Sequence, residues 1–183
     1  QLETQVYNED NGLSRYANAI HQDKRGIIWV GTQFGLYRFD GQDFTHFDGN
    51  VDLPFRQIME IYEDTEGWFW LYKSCIGKGA KCEKDLAFFH PITKEVLTFE
   101  QRFGDKVSIQ ANQIGQVVKD SVNFYLTTHQ KLLIWSSEIG IREKEFRGFD
   151  FDFAPQIVVK ISENLFGVLY GTVLKPETVT NFQ

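Results

Sequence analysis

The chain of 183 residues carries 25 Asp and Glu against 19 Lys and Arg, a formal net charge of −6, which excludes the broad positive field that non-specific nucleic-acid binding needs. At 42% hydrophobic and 24% charged residues the composition is that of folded protein, not of a disordered chain, and no apolar run approaches the roughly 20 residues of a membrane-spanning helix. Aromatic residues at 15%, with 17 Phe and 7 Tyr, favour β-structure, because flat rings pack well on pleated surfaces. Residues 1–7 lack the basic start and apolar stretch of a signal peptide, so any membrane anchor is expected outside this stretch.

From the start of the chain, residues 1–10 read as a candidate outer closing strand without inner partners of its own. A repeat then begins. Its first copy runs Ala17, Ile20, Asp23, Gly26, Trp29, Val30, Gly31, Thr32, and its second runs Ile58, Ile61, Asp64, Gly67, Trp70, Leu71. A third, weaker copy has Ile114, Val117, Asp120, Asn123, Tyr125, Leu126, Thr127, Thr128, and a fourth has Val158, Ile161, Asn164, Gly167, Leu169, Tyr170, Gly171, Thr172. What persists is turn chemistry: Asp or Asn at the first turn position accepts backbone N–H groups, and Gly or Asn at the fourth tolerates the left-handed backbone that closes the turn. Each copy is therefore a hairpin, with an apolar strand before the turn and an aromatic strand after it, such as 27–32 and 68–72. The residues Ile20, Ile61, Val117 and Ile161 read as core anchors, at steps of 41, 56 and 44 residues.

Third strands follow at 36–39, 86–89 and 132–135, and fourth strands at 44–47, 96–99 and 144–148. Units of four strands and about 40 residues are the blades of a β-propeller. The predicted architecture is all-β, with antiparallel blades at 14–48, 54–100, 111–148 and an incomplete one at 155–183, the whole being part of a larger propeller, with a closed four-bladed ring as the alternative. The shared position Trp29, Trp70, Tyr125 and Leu169 reads as packing between sheets.

The runs Asn11-Gly12-Leu13-Ser14, Ile20-His21-Gln22-Asp23-Lys24-Arg25-Gly26-Ile27-Ile28-Trp29-Val30-Gly31-Thr32 and Gly35-Leu36-Tyr37-Arg38-Phe39-Asp40-Gly41 resemble the two-component regulator propeller repeat. The match is specific in the first copy, holds through Trp70 in the second, and is degenerate in the last two. The resemblance implies the periplasmic, extracytoplasmic sensor region of an inner-membrane hybrid two-component protein of the Bacteroidetes kind. In that family the propeller receives oligosaccharide released from polysaccharide and controls carbohydrate-use genes. It further implies a non-enzymatic module here, with any kinase activity in another part of the protein.

Loops entering each first strand, and loops between second and third strands, share one rim of a propeller. Five positions before the anchors stand Arg15, Arg56, Asn112 and Gln156, with Tyr16, Gln57 and Gln113 as neighbours. Hydrogen-bonding groups beside a ring suit sugar hydroxyls and an apolar sugar face, although inter-blade loops are also polar merely because they are wet. Residues 73–85 form a candidate lip, and Lys78, Lys81 and Lys84, with His129 from another loop, add positive charge or hydrogen bonds. An acidic glycan suits such a rim; a solvated lysine loop is the plainer alternative. Within the lip, Cys75 and Cys82 either close a short disulfide loop, which fits an oxidising compartment, or are two free thiols.

The carboxylates Glu60, Glu63 and Glu66 read as a solvated strand face, with Asp64 committed to its turn. The four histidines lack ligand spacing, the cysteines suit no zinc pattern, and no phosphate loop or nucleophile elbow is present. No cofactor, metal or catalytic residue is expected. Beyond an oligosaccharide, the partners expected are other domains of the same sensor protein and a second copy in a homodimer. A protein-docking scaffold is the alternative function, and a carbohydrate-active propeller enzyme a further one.

Overall fold

A computed structural model describes residues 4–47, 52–74 and 83–145, together with the backbone of three later strands at 157–162, 165–169 and 180–181. The chain divides into two compact units, 1–102 and 103–183. The first holds blade 1, with strands β1 (Ala17–Gln22), β2 (Ile28–Thr32), β3 (Gly35–Phe39) and β4 (Phe44–His46), and blade 2, with β5 (Glu60–Glu63), β6 (Phe69–Lys73), β7 (Asp85–Phe89) and β8 (Val96–Thr98). A short helix α1 (Phe99–Phe103) follows. The second unit holds blade 3, with β9 (Gln116–Lys119), β10 (Phe124–Thr127), β11 (Lys131–Ser136) and β12 (Gly140–Glu145), and a three-stranded sheet of β13 (Ile157–Ser162), β14 (Leu165–Leu169) and β15 (Thr180–Asn181). Each of the three blades is an antiparallel meander in sequence order.

The predicted turns are built as their residues require. Gly26 and Gly67 sit at φ 83° and 88°, a backbone conformation that residues with a side chain seldom adopt, and their N–H groups donate to the Asp23 and Asp64 carbonyls. One carboxylate oxygen of Asp23 accepts from the N–H groups of Arg25 and Ile27, and one of Asp64 from those of Glu66 and Trp68.

Within the first unit the two blades share a core. Trp29 and Leu36 of blade 1 meet Ile61, Phe69, Leu71, Ala87 and Phe89 of blade 2, with Phe55 and Ile58 of the connection between them. The Trp29 ring lies 5.0 Å from Phe47 and 5.3 Å from Phe69, both edge-on. Backbone and side-chain bonds sew the sheets together where the blades enter: Ile58 N donates to the Thr32 carbonyl at 2.8 Å, and Asn18 Nδ2 to the Ile58 carbonyl at 3.1 Å. This close approach requires Gly31, since a Cβ there would stand 2.6 Å from Ile58 Cγ2.

Several expectations are corrected. Ile20 is no core anchor: it is 74% exposed, whereas Ile61 and Val117 are 7% and 1%. Ile61 faces blade 1, and Ile20, its equivalent, faces away from blade 2, where no described sheet covers it. Phe99 opens α1 instead of ending a strand, and the outer strand of blade 3 runs from Gly140 to Glu145, earlier than 144–148. In the fourth sheet Gly167 pairs with Val159 inside β14, so it stands within a strand and not at the close of a turn, while Asn164 lies outside the described residues. Residues 4–8 carry no strand, and 9–11 form a 3-10 turn; Tyr7 instead packs edge-on against Phe39 and Phe44, at 5.0 and 5.5 Å.

Candidate functional site

In an antiparallel meander the start of β1, the end of β2 and the start of β3 lie at one end of the sheet. The Ile58 bonds bring the entry to blade 2 to that same end, so Arg15, Tyr16, Arg56 and Gln57 share it as the sequence predicts. The structure adds Phe34 from the β2–β3 turn. Tyr16 and Phe34 are 49% and 52% exposed, with ring centroids 6.3 Å apart and planes tilted by 51°. Side by side, the two rings make a small apolar surface flanked by polar residues.

The turn that presents Phe34 is held by several hydrogen bonds. Buried Thr32 accepts from Phe34 N at 2.9 Å and donates to the Gly35 carbonyl at 3.0 Å, Gln33 N donates to the Tyr16 carbonyl, and His46 Nε2 lies 2.9 Å from the Phe34 carbonyl. Around the rings, Arg56 and Gln33 are exposed, and Gln57 Nε2 reaches only the Met59 sulfur, at 3.5 Å. Arg15 is less available than its position suggests. Its guanidinium makes a two-point pair with Glu9, at 3.1 and 3.0 Å, in the open.

In the second unit Asn112 and Gln113 lie exposed in a 3-10 turn (Ala111–Gln113) leading into β9, and the Gln113 Oε1 is taken up by the Gln110 N–H at 2.8 Å. Just beyond, Gln116 keeps a buried Oε1 without a partner among the described residues, an acceptor that sequence inspection did not single out. His129 is exposed in the β10–β11 turn. Lys84 is half-buried beside β7. Gln156, Lys78, Lys81, Cys75 and Cys82 lie outside the described residues.

At the other end of the blades the turn carboxylates do more than cap. The second oxygen of Asp23 accepts from Trp29 Nε1 at 3.1 Å, that of Asp64 from Trp70 Nε1 at 2.9 Å, and that of Asp120 from the Tyr125 hydroxyl at 2.8 Å. The shared aromatic position is buried, at 1%, 0% and 3% for Trp29, Trp70 and Tyr125, so each polar edge needs the acceptor that its own turn supplies. For Asp23 and Asp120, burial pushes the carboxyl up, and the hydrogen bonds outweigh it, holding both below the usual carboxylate range. In blade 2 the clamp extends further. Arg102 of α1 donates to Asp64 at 3.1 Å and Glu66 at 3.2 Å, and stacks over Phe88 with its Cζ 4.5 Å from the ring centre.

The supposed solvated carboxylates are also engaged. Glu63, 9% exposed, lies 3.2 Å from His21 Nε2 and accepts from Lys24 N at 3.1 Å, and Glu60, whose carboxyl burial pushes up, accepts from the Tyr62 hydroxyl. One arrangement resembles a nucleophile beside a base: Ser108 touches both Lys131 and Glu143. Glu143 also pairs with the Lys131 side chain at 2.8 Å; burial pushes its carboxyl up, but the hydrogen bonds from Lys131 and Ser108 outweigh it and hold it below the usual range, which makes it a weaker base toward the serine.

Residues 11–34 match the family model described as two component regulator propeller. No curated protein matches the chain. Among solved structures it is similar to an extracellular domain described as that of hybrid two component system BT3049 from B. thetaiotaomicron, with a TM-score of 0.65 and 17% identity over 90% of this chain and 23% of that one. It is also similar to the extracellular domain described as that of one component system BT4673 from the same organism, with a TM-score of 0.61 and 15% identity over 85% of this chain and 20% of that one. The chain thus spans a quarter or less of these structures, and the likeness is one of fold.

Proposed function

We propose that this chain, which carries a two component regulator propeller repeat at residues 11–34 within four-stranded antiparallel blades, is a segment of the extracytoplasmic sensor region of a two-component signalling protein, and that it receives oligosaccharide. The single observation that carries the ligand class is the Tyr16–Phe34 pair, two half-exposed rings 6.3 Å apart, Phe34 on a turn held by Thr32 and Tyr16 just before β1. Pyranose rings present a face of C–H groups that stacks on an aromatic side chain, and hydroxyls at the edge that need hydrogen-bonding neighbours. Arg56, Gln33 and Gln57 supply those neighbours. The neighbouring structures are extracellular domains of signalling systems, which supports a sensory role outside the cytoplasm; the proposal extends to anchoring in the inner membrane through another part of the protein and to output through a separate domain that switches carbohydrate-use genes.

Calorimetric titration and thermal-shift measurement with a panel of oligosaccharides test the proposal. Saturable binding without product formation is expected for a subset, weakened about tenfold or more by Tyr16→Ala and by Phe34→Ala, since a base or ring stacked on an aromatic is worth roughly 1–3 kcal/mol. Arg56→Ala lowers affinity, while Arg15→Ala, already paired with Glu9, has the smaller effect. Binding that survives loss of both rings, or none across neutral and acidic glycans, overturns the assignment; sugar turnover would move the protein to the enzyme class.

A further inference from the structure

The groove between the first two blades has a second end, where the Asp23 and Asp64 turns lie, and the geometry points to an oxyanion-binding site there, built by Arg38 and Lys94 with Arg25 behind them, for the carboxylate or sulfate of a small ligand. Arg38 stands opposite Trp29 in the β2–β3 ladder, and so on the face of blade 1 that is turned to blade 2. Lys94 comes from blade 2, in the turn between β7 and β8 that is closed by the Lys94 N–H on the His90 carbonyl at 2.8 Å. It is the one non-glycine residue with positive φ among the described residues, at 66°, a conformation that L-residues seldom adopt. Its Nζ lies 3.9 Å from the centre of the Phe47 ring of blade 1, which itself packs on Trp29 at 5.0 Å. Arg25 arrives from the Asp23 turn, its Nη2 2.9 Å from Asp23 Oδ2.

Three cations from two blades thus surround one aromatic pair. Burial, and then the charges of Arg38 and Arg25, hold the Lys94 ammonium below its usual range, as expected of like charges held close. The carboxylates at hand each have partners of their own. Asp23 serves Trp29, Arg25 and its own turn, Glu63 lies against His21 and Lys24 N, Glu66 takes Arg102, and Asp40, which feels the Arg38 charge, accepts from the N–H groups of Gln42 and Asp43 at 2.9 Å each. Neither Arg38 nor Lys94 forms an ion pair among the described residues. A bound oxyanion is the group that offsets their repulsion while accepting charge-assisted hydrogen bonds from both. Next to Arg25 a groove of about 200 Å³, lined by Lys24, Arg25, His90 and Ile92 together with Asp23, Glu63 and Glu66, gives room for the uncharged body of the ligand, with Ile92 63% exposed at its edge. The site lies at the opposite end of the blades from Tyr16 and Phe34, and does not depend on the function proposed above.

Titration of the chain with sodium sulfate at constant ionic strength, read by amide NMR shifts, tests the proposal; methyl glucuronoside is the carboxylate arm and methyl glucoside the neutral control. Saturable shifts at Arg38, Lys94 and the Asp23 turn are expected with at least one of the two anions, and which anion saturates identifies the group. Lys94→Gln and Arg38→Gln each weaken binding about tenfold, the scale of one charge-assisted hydrogen bond, and Arg38→Lys restores part of it. Both side chains are exposed, so the variants keep the fold, as the unchanged spectrum elsewhere would show. Tyr16→Ala leaves anion binding untouched, which separates failure of this site from failure of the sugar platform. Shifts that are linear in concentration, equal for chloride, or unchanged in both glutamine variants overturn the proposal.

Discussion

Replacing Asp64 by Ala should be the most damaging change at any of the three turn carboxylates, because it leaves a buried cation with the half-exposed Glu66 as its remaining carboxylate. The Asp64 side chain is 0% exposed and that of its partner Arg102 is 11%. Removing one member of a buried ion pair costs roughly 3–5 kcal/mol, and the orphaned indole of Trp70 adds about 1 kcal/mol or more, giving about 5 kcal/mol in all. At Asp23 the matching arginine, Arg25, is 43% exposed and regains water, so Asp23→Ala should cost only about 2–3 kcal/mol. Urea unfolding followed by tryptophan fluorescence measures both, in a Trp135→Phe background so that the indoles reporting are Trp29, Trp68 and Trp70 of the first unit. The difference of about 2 kcal/mol corresponds to roughly 4–8 °C in Tm for a chain of this size. Should Asp64→Ala leave the unit unfolded, Asp64→Asn keeps one acceptor for the turn and gives a measurable midpoint between the two. The double variant Asp64→Ala/Arg102→Leu removes that buried charge and should recover about 2 kcal/mol. Equal costs at Asp23 and Asp64, or a double variant no more stable than the single one, would refute the reasoning.

Two further outcomes follow from packing and from titration. Gly31→Ala places a Cβ 2.6 Å from Ile58 Cγ2 and should destabilise by about 1–3 kcal/mol; in an Ile58→Ala background the same change should cost less than half as much, and additive costs in thermal melts would argue against the clash. Because the Asp120 carboxyl is held below its usual range, its contribution is fully present above the unfolded value of about 3.9 and is lost as pH falls through the lower folded value. Asp120→Asn should therefore flatten the fall in stability between about pH 4 and pH 2, and an unchanged acid profile would rule that contribution out.

The hairpins were legible because Asp, Gly and a large ring recur at fixed offsets, and turn chemistry at Asp23, Asp64 and Asp120 is local. The second use of those carboxylates was not: the offset from Asp23 to Trp29 is visible in the sequence, but whether the indole N–H turns back to the carboxylate depends on the pleat of the closed sheet. Ile20 misled for a related reason. Repeat equivalence with Ile61 fixes the direction of its side chain, while burial depends on a neighbouring sheet that residue pattern alone does not supply. At the candidate site Tyr16, Arg56 and Gln57 were found by counting back from the strands. Phe34 was overlooked because an apolar residue in a turn carries no polar signal, and Arg15 was overrated because its partner Glu9 sits in a 3-10 turn that the sequence does not announce. Glu63 passed for a solvated residue, since alternation places it on a face without saying that His21 of the other blade will meet it.

The joint between the first two blades imposes an order on them. Lys24 Nζ donates to the carbonyls of Asp64 and Thr65, at 2.7 and 3.1 Å across 40 and 41 residues, so a residue in one turn grips the turn one repeat later. One repeat beyond Lys24 stands Thr65, and one beyond His21 stands Tyr62; neither can send the same grip onward. Blade 1 therefore fits in front of blade 2 and not behind it. A chimera that exchanged the two, or that placed two copies of blade 2 in tandem, would keep every hairpin and lose the coupling, melting in two steps where the native pair melts in one. Copying the pair together preserves it, which makes the doublet, more than the single blade, the unit that can be duplicated without repair.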